Sequence, residues 1–121
     1  MAAQPKRLLE VQTIDNVALV SIMNARILDD QIIQQFGEQL NSLVDQAGHT
    51  CILLNFSKVE YLSSAALGKL VVLRRLVEGV KGKLALSNID DSIFEAFKIT
   101  GFDRIFNIFP DEQEGLQFLQ K

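Results

Sequence analysis

Cys51-Ile52-Leu53-Leu54-Asn55-Phe56, followed by Ser57-Lys58-Val59-Glu60-Tyr61-Leu62 and Ser63-Ser64-Ala65-Ala66-Leu67-Gly68, is the stretch on which the fold turns. Its first six residues form a short apolar run bounded by polar ones, the mark of a strand covered on both faces. A loop follows. The serine pair then opens a helix running to about Gly79, because serine is a preferred N-cap. Its hydroxyl accepts a backbone N–H that the first helical turn leaves unpaired. Lys83 to Ser87 supplies the next short strand. A strand, a helix and another strand in succession make a crossover, and crossovers join parallel strands.

Toward the N-terminus, Leu8 to Asp15 and Val17 to Met23 are rich in β-formers and are separated by the turn pair Asp15-Asn16. They are expected to form a β-hairpin. Asp29 or Asp30 then caps a helix in which Ile32, Ile33, Phe36, Leu40, Leu43 and Val44 follow a three-and-four spacing, with Gly48 as its stop. Toward the C-terminus, Ser92-Ile93-Phe94-Glu95 has the capping-box spacing, and Gly101 falls where a terminating glycine belongs. Ile105 to Phe109 reads as a last buried strand and Asp111 to Leu119 as a terminal helix. The order β-β-α-β-α-β-α-β-α predicts an α/β fold with a mixed, mostly parallel sheet and about four helices.

The chain has 121 residues, 48% hydrophobic and 22% charged, with a net charge of −3. This predicts one globular domain spanning residues 1–121, with its core at about 8–119. The acidic balance does not suit direct binding of nucleic acid or an anionic membrane. No apolar stretch backs the basic pair Lys6-Arg7, and no window reaches the roughly 20 apolar residues of a membrane span. One cysteine, Cys51, excludes an internal disulfide framework and fits a reducing compartment, so a cytoplasmic location is expected.

Catalytic equipment is not evident. The lone histidine, His49, lies in a helix-to-strand loop and reads as an exposed loop residue, while Cys51 opens an apolar strand as a small core residue. Neither a P-loop nor a G-x-G-x-x-G occurs, and Gly79-x-x-Gly82 reads as a helix terminus with a turn. The pairs Asp29-Asp30 and Asp90-Asp91 stand before helices, where capping explains them. The expectation is a non-enzymatic protein without metal or cofactor.

The serine pair admits two compatible readings. One is a helix cap. In the other, a hydroxyl at a helix N-terminus is placed to carry phosphate, whose charge the free N–H groups and the helix dipole stabilise. Phosphate would take the net charge from −3 to about −5. In the helix behind it, Leu67, Leu70, Val71, Leu73, Leu76, Val77 and Val80 cover more than one face, and Lys69, Arg74, Arg75 and Glu78 form a narrow polar side. Such a helix either lies buried between the sheet and a neighbouring helix or leaves an apolar strip exposed for another protein.

These residues resemble the phosphorylation segment of STAS domains of the anti-sigma factor antagonist family, which reads V-x-F-[MI]-D-S-[ST]-G-L-G in general form. Val59, Tyr61 in the phenylalanine place, Leu62, Leu67 and Gly68 fit without a gap. Ser63 stands at the family's aspartate, Ser64 at its phosphorylated serine, Ala65 at the next hydroxyl residue and Ala66 at the glycine. The tail from Ile93 to Phe106 is similar to the family's L-F-x-x-x-G-L-x-x-I-F stretch, and the strand order agrees from Leu8 to Leu119.

The resemblance implies a STAS fold and a role in regulating sigma-factor-dependent transcription. The partner would be an anti-sigma factor that is also a serine kinase, and a phosphatase would reverse its action. Ser64 would be the phosphoacceptor, with Ser63 as the alternative. Ser63, Ser64, Ala65, Ala66, Leu67 and Gly68 would form the partner-binding segment, on a monomer or weak dimer. The departures at Ser63 and Ala66 point to the alternative of a divergent scaffold subunit, in a stress-signalling or transporter-associated complex, without a phosphorylation switch.

Overall fold

The computed structural model describes residues 7–120. Leu9–Ile14 (β1) and Val17–Ile22 (β2) pair antiparallel, Leu9 against Ile22 and Ile14 against Val17. Asp15 turns the hairpin at φ 54, in the left-handed region that aspartate enters more readily than most residues. The chain continues through Arg26–Ile27 (β3), Asp30–Asp45 (α1), Cys51–Asn55 (β4), Tyr61–Leu62 (β5) and Ser64–Gly79 (α2). Lys83–Ser87 (β6), Asp91–Thr100 (α3), a 3-10 turn at Phe102–Arg104, Asn107–Phe109 (β7) and Glu112–Leu119 (α4) complete it. The main sheet has the order β1-β2-β4-β6-β7, and every pairing after the hairpin is parallel. This is the mixed, mostly parallel α/β sheet expected from the sequence.

The three central strands, β2, β4 and β6, are largely apolar on both faces because both are covered. Ala18, Val20 and Ile22 of β2, Ile52 and Leu54 of β4, and Leu84 and Leu86 of β6 face the larger core with α1, α2 and α3. Alternate residues Val17, Leu19, Leu53 and Ala85 face a smaller core closed by Leu116, Phe118 and Leu119 of α4. Gly115 lets α4 lie close to β4, since a Cβ there would stand 2.7 Å from Leu53 Cδ1. In the larger core Phe97 meets Phe56 and Phe106 edge to face, at centroid distances of 6.4 and 5.9 Å.

Local details depart from the sequence reading in four places. The Asp29 carboxylate caps α1 by accepting the Ile32 N–H at 2.9 Å, but the helix ends at Asp45, and Gly48 turns the chain at φ +72 after it. The Ser92–Glu95 capping box does not form: α3 starts at Asp91, so Ser92 is already inside the helix. Asp90 holds the N-cap position without making a side-chain cap bond. The last strand shortens to Asn107–Phe109 and is only partly buried, because the Ile105 and Phe106 N–H groups close the 3-10 turn on Phe102 O. Finally, β3 and β5 form a separate two-stranded parallel sheet that the sequence did not announce.

Candidate functional site

Strand β4 delivers the chain to the loop that carries the serine pair, and hydrogen bonds fix its path. Phe56 N–H donates to Ser87 O at 2.9 Å, and Asn55 Oδ1 accepts the Ser57 N–H at 2.7 Å. The Asn55 amide also donates to Glu112 Oε2 at 2.7 Å, which ties the start of the loop to α4. Val59 anchors the middle of the loop, 3% exposed within the core. Glu60 and Tyr61 N–H groups then both donate to Ala25 O, at 2.8 and 3.0 Å. Pairing of Tyr61 with Arg26 and Leu62 with Ile27 holds the segment beside the β2–α1 connection. Ser63 N–H closes the ladder on Ile27 O at 3.1 Å. The small β3–β5 sheet therefore aims the start of α2.

The two serines have different jobs. Ser63 is the N-cap, at φ −76 and ψ 164, and its hydroxyl accepts the Ala66 N–H at 3.1 Å. Ser64 is the first helical residue and is exposed, and its side chain makes no hydrogen bond among the described residues. The first turn of α2 contains no acidic residue, whereas α1, α3 and α4 carry Asp30, Asp91, and Glu112 with Glu114 in theirs. The positive end of the α2 dipole is thus left without a carboxylate of its own helix.

The segment Ser63 to Gly68 divides by burial. Ala66 and Leu67 are 0% and 1% exposed and seat the helix on the core. Ser64, Ala65 and Gly68 face solvent, and Ser63 is half-buried. Beside them stand Tyr61 and Leu28, 50% and 48% exposed, with the Arg26 guanidinium 4.9 Å over the Tyr61 ring. Leu28 and Arg26 were not singled out in the sequence, because only the β3–β5 pairing brings them next to the serines. A Cβ added at Gly68 would meet nothing within 4 Å, so packing within the domain does not require glycine there.

The remaining residues weighed for chemistry lie elsewhere. His49 is half-buried rather than exposed, and its N–H closes the end of α1 by donating to Leu43 O at 2.9 Å. Cys51 is half-buried against the smaller core. Gly82 belongs to the turn into β6, where an added Cβ would collide with Thr50 O. No helix among the described residues is long and apolar enough to cross a membrane.

Comparison with known proteins places this geometry. The family model of the STAS domain matches residues 9–115. A Thermotoga neapolitana protein, named as a homolog of the candidate anti-sigma factor antagonist TM1081, is 31% identical over 101 residues, covering 84% of this chain and 82% of that protein. BtrV of Bordetella bronchiseptica, also named as a candidate anti-sigma factor antagonist, is 25% identical over 100 residues, covering 83% of this chain and 84% of BtrV. The crystal structure of TM1081 from Thermotoga maritima superposes with a TM-score of 0.82 at 22% identity, over 93% of this chain and 95% of that one. SpoIIAA, a Bacillus cell fate determinant solved in its phosphorylated form, gives a TM-score of 0.67 at 18% identity, over 90% of this chain and 96% of SpoIIAA. With the family model spanning nearly the whole described chain, the protein belongs to the STAS domain family.

Proposed function

We propose that this chain is an anti-sigma factor antagonist that binds an anti-sigma factor serine kinase through the N-terminal end of α2 and is released when Ser64 is phosphorylated. One observation carries the reading: the exposed Ser64 hydroxyl, at the first position of α2, makes no hydrogen bond among the described residues, while Ser63 does the capping. Phosphate on Ser64 adds about two negative charges beside first-turn N–H groups and a positive dipole end, so the fold tolerates it. Phosphate on Ser63 would first have to give up or remake the bond to Ala66 N–H.

In the transfer, Ser64 Oγ bonds to the γ-phosphorus of the kinase's ATP as the bond to ADP breaks, and the hydroxyl proton passes to a base on the kinase. A phosphatase reverses the change by hydrolysis. Ser64, Ala65 and Gly68 form the contact surface, with Tyr61 and Leu28 at its flank. Ala66 and Leu67 act from below by holding the helix in place. The protein acts in the cytoplasm as one binding domain without catalysis, metal or cofactor, and its effect on sigma-factor-dependent transcription passes through the kinase.

The test is the affinity of the cognate kinase for wild type, Ser64→Ala and Ser64→Asp. Ser64→Ala is expected to bind as wild type does but to resist release by ATP. Ser64→Asp is expected to bind about ten-fold more weakly or worse, because a carboxylate desolvated in the interface without a compensating partner costs binding. Wild-type affinity in the aspartate variant, with no phosphate taken up by wild type, would favour a scaffold without a switch.

A further inference from the structure

The outermost ridge of α2 carries a single charged residue, Arg75, where the solvent face of a surface helix normally carries several polar ones. Lys69 and Arg74 lie on its flanks, the first with its stem against Gly37 of α1 and the second bonded to Ile105 O and Glu78. What points straight out is Ala65, Gly68, Val72, Arg75 and Gly79, all exposed and spaced alternately by three and four residues. Val72 alone is 42% exposed. Three-and-four spacing is the pattern by which two helices pack along a common seam.

We infer that this ridge pairs with the same ridge of a second copy of the chain, antiparallel about a two-fold axis near Leu70. Position fits position. About that axis Gly68 of each copy faces Val72 of the other, and Ala65 faces Arg75, so every larger side chain meets a small one. Charge fits as well. Exposed Asp29, Asp30 and Glu60 flank the β3–β5 pairing that leads into α2, where Ser63 N–H is bonded to Ile27 O, and they outnumber the one cation of that pairing, Arg26, leaving this end net acidic. The other end offers Arg75 and Lys81, while Glu78 is neutralised by Arg74 at 3.0 Å. An antiparallel copy brings each acidic end against a basic one, a self-complementarity that a two-fold interface requires. A parallel copy would set like charges together. A single helix ridge buries far less than the roughly 1,200 Å² of a stable interface, so the pair is weak and reversible.

The axis also sets Ser64 beside the partner copy's basic end. Phosphate on Ser64 therefore strengthens the pairing with a second copy while it weakens the kinase complex, and the phosphorylated chain hides its own docking face. This regulatory arm rests on the Ser64 switch proposed above; the pairing of the ridges does not.

Analytical ultracentrifugation of the full chain, from micromolar to millimolar concentration, tests it. Wild type is expected to rise from 13.5 kDa toward twice that mass. Ser64→Asp should reach the midpoint at several-fold lower concentration, and Val72→Glu should stay monomeric. Arg75→Glu, which reverses a charge occurring twice per dimer, should raise the midpoint about ten-fold. Combining it with Ser64→Arg should restore association. All three positions are exposed, and unchanged thermal transitions confirm that the variants fold. Monomers throughout for wild type and Ser64→Asp, or association indifferent to Val72→Glu and Arg75→Glu, would overturn the pairing. Phosphate uptake at Ser64 without any self-association sinks the pairing alone. Association through Val72 without phosphate uptake sinks the switch alone.

Discussion

Replacing Gly68 with alanine separates stability from recognition at one position. Gly68 lies inside α2 with its backbone helical, and a new Cβ would touch nothing within 4 Å. Glycine in an exposed helix interior costs about 0.5–1 kcal/mol relative to alanine, chiefly through backbone entropy. Nothing in the folded domain opposes the gain, so Gly68→Ala is expected to stabilise by about that amount. For a domain of this size that raises Tm by roughly 2–4 °C. Denaturant titration with matched m-values reads the change directly. The same methyl group stands on the face assigned to contact, and the kinase affinity is expected to fall while stability rises. A destabilised Gly68→Ala protein would refute the claim that the position is free within the domain. A stabilised variant with unaltered kinase binding would remove Gly68 from the contact surface.

Other substitutions probe the scaffold that aims the serines. Gly82→Ala is expected to destabilise by about 3 kcal/mol or more in urea unfolding, because the new Cβ runs into the Thr50 carbonyl rather than into a side chain that can move. Ser63→Ala removes the cap on Ala66 N–H and should cost about 1 kcal/mol, while leaving Ser64 open to phosphate transfer. Loss of transfer in a folded Ser63→Ala protein would show that Ser63 does more than cap. Leu70→Ala opens a cavity under α2 and should cost about 2–5 kcal/mol by the same titration.

The sheet was legible because its central strands are short and apolar on both faces, as Cys51 to Phe56 shows, and helical spacing between them forces crossovers. What escaped has local causes. Two-residue strands such as Arg26–Ile27 and Tyr61–Leu62 carry no periodicity, and their pairing exists only in backbone bonds between distant segments. The Ser92 box failed because Asp90 and Asp91 already offered a start two residues earlier. In the site, the family pattern put Ser64 in the acceptor's place, but the different engagement of Ser63 and Ser64 depends on where the helix begins. The burial of Ala66 and Leu67, against the exposure of Ala65 and Gly68, likewise follows from the rotation of α2 on the sheet. In a helix apolar on several sides, sequence spacing does not fix that rotation, so the outer ridge through Val72 became visible only in the fold.

The central claim is that Ser64 is the switch, and mapping phosphate on the protein isolated from its native cells tests it most directly. Intact-mass analysis followed by peptide mapping is expected to find a fraction carrying one phosphate, on Ser64, that disappears in a strain encoding Ser64→Ala. Protein that stays unmodified under every growth and stress condition tried, or a phosphate that maps to Ser63, would contradict the account.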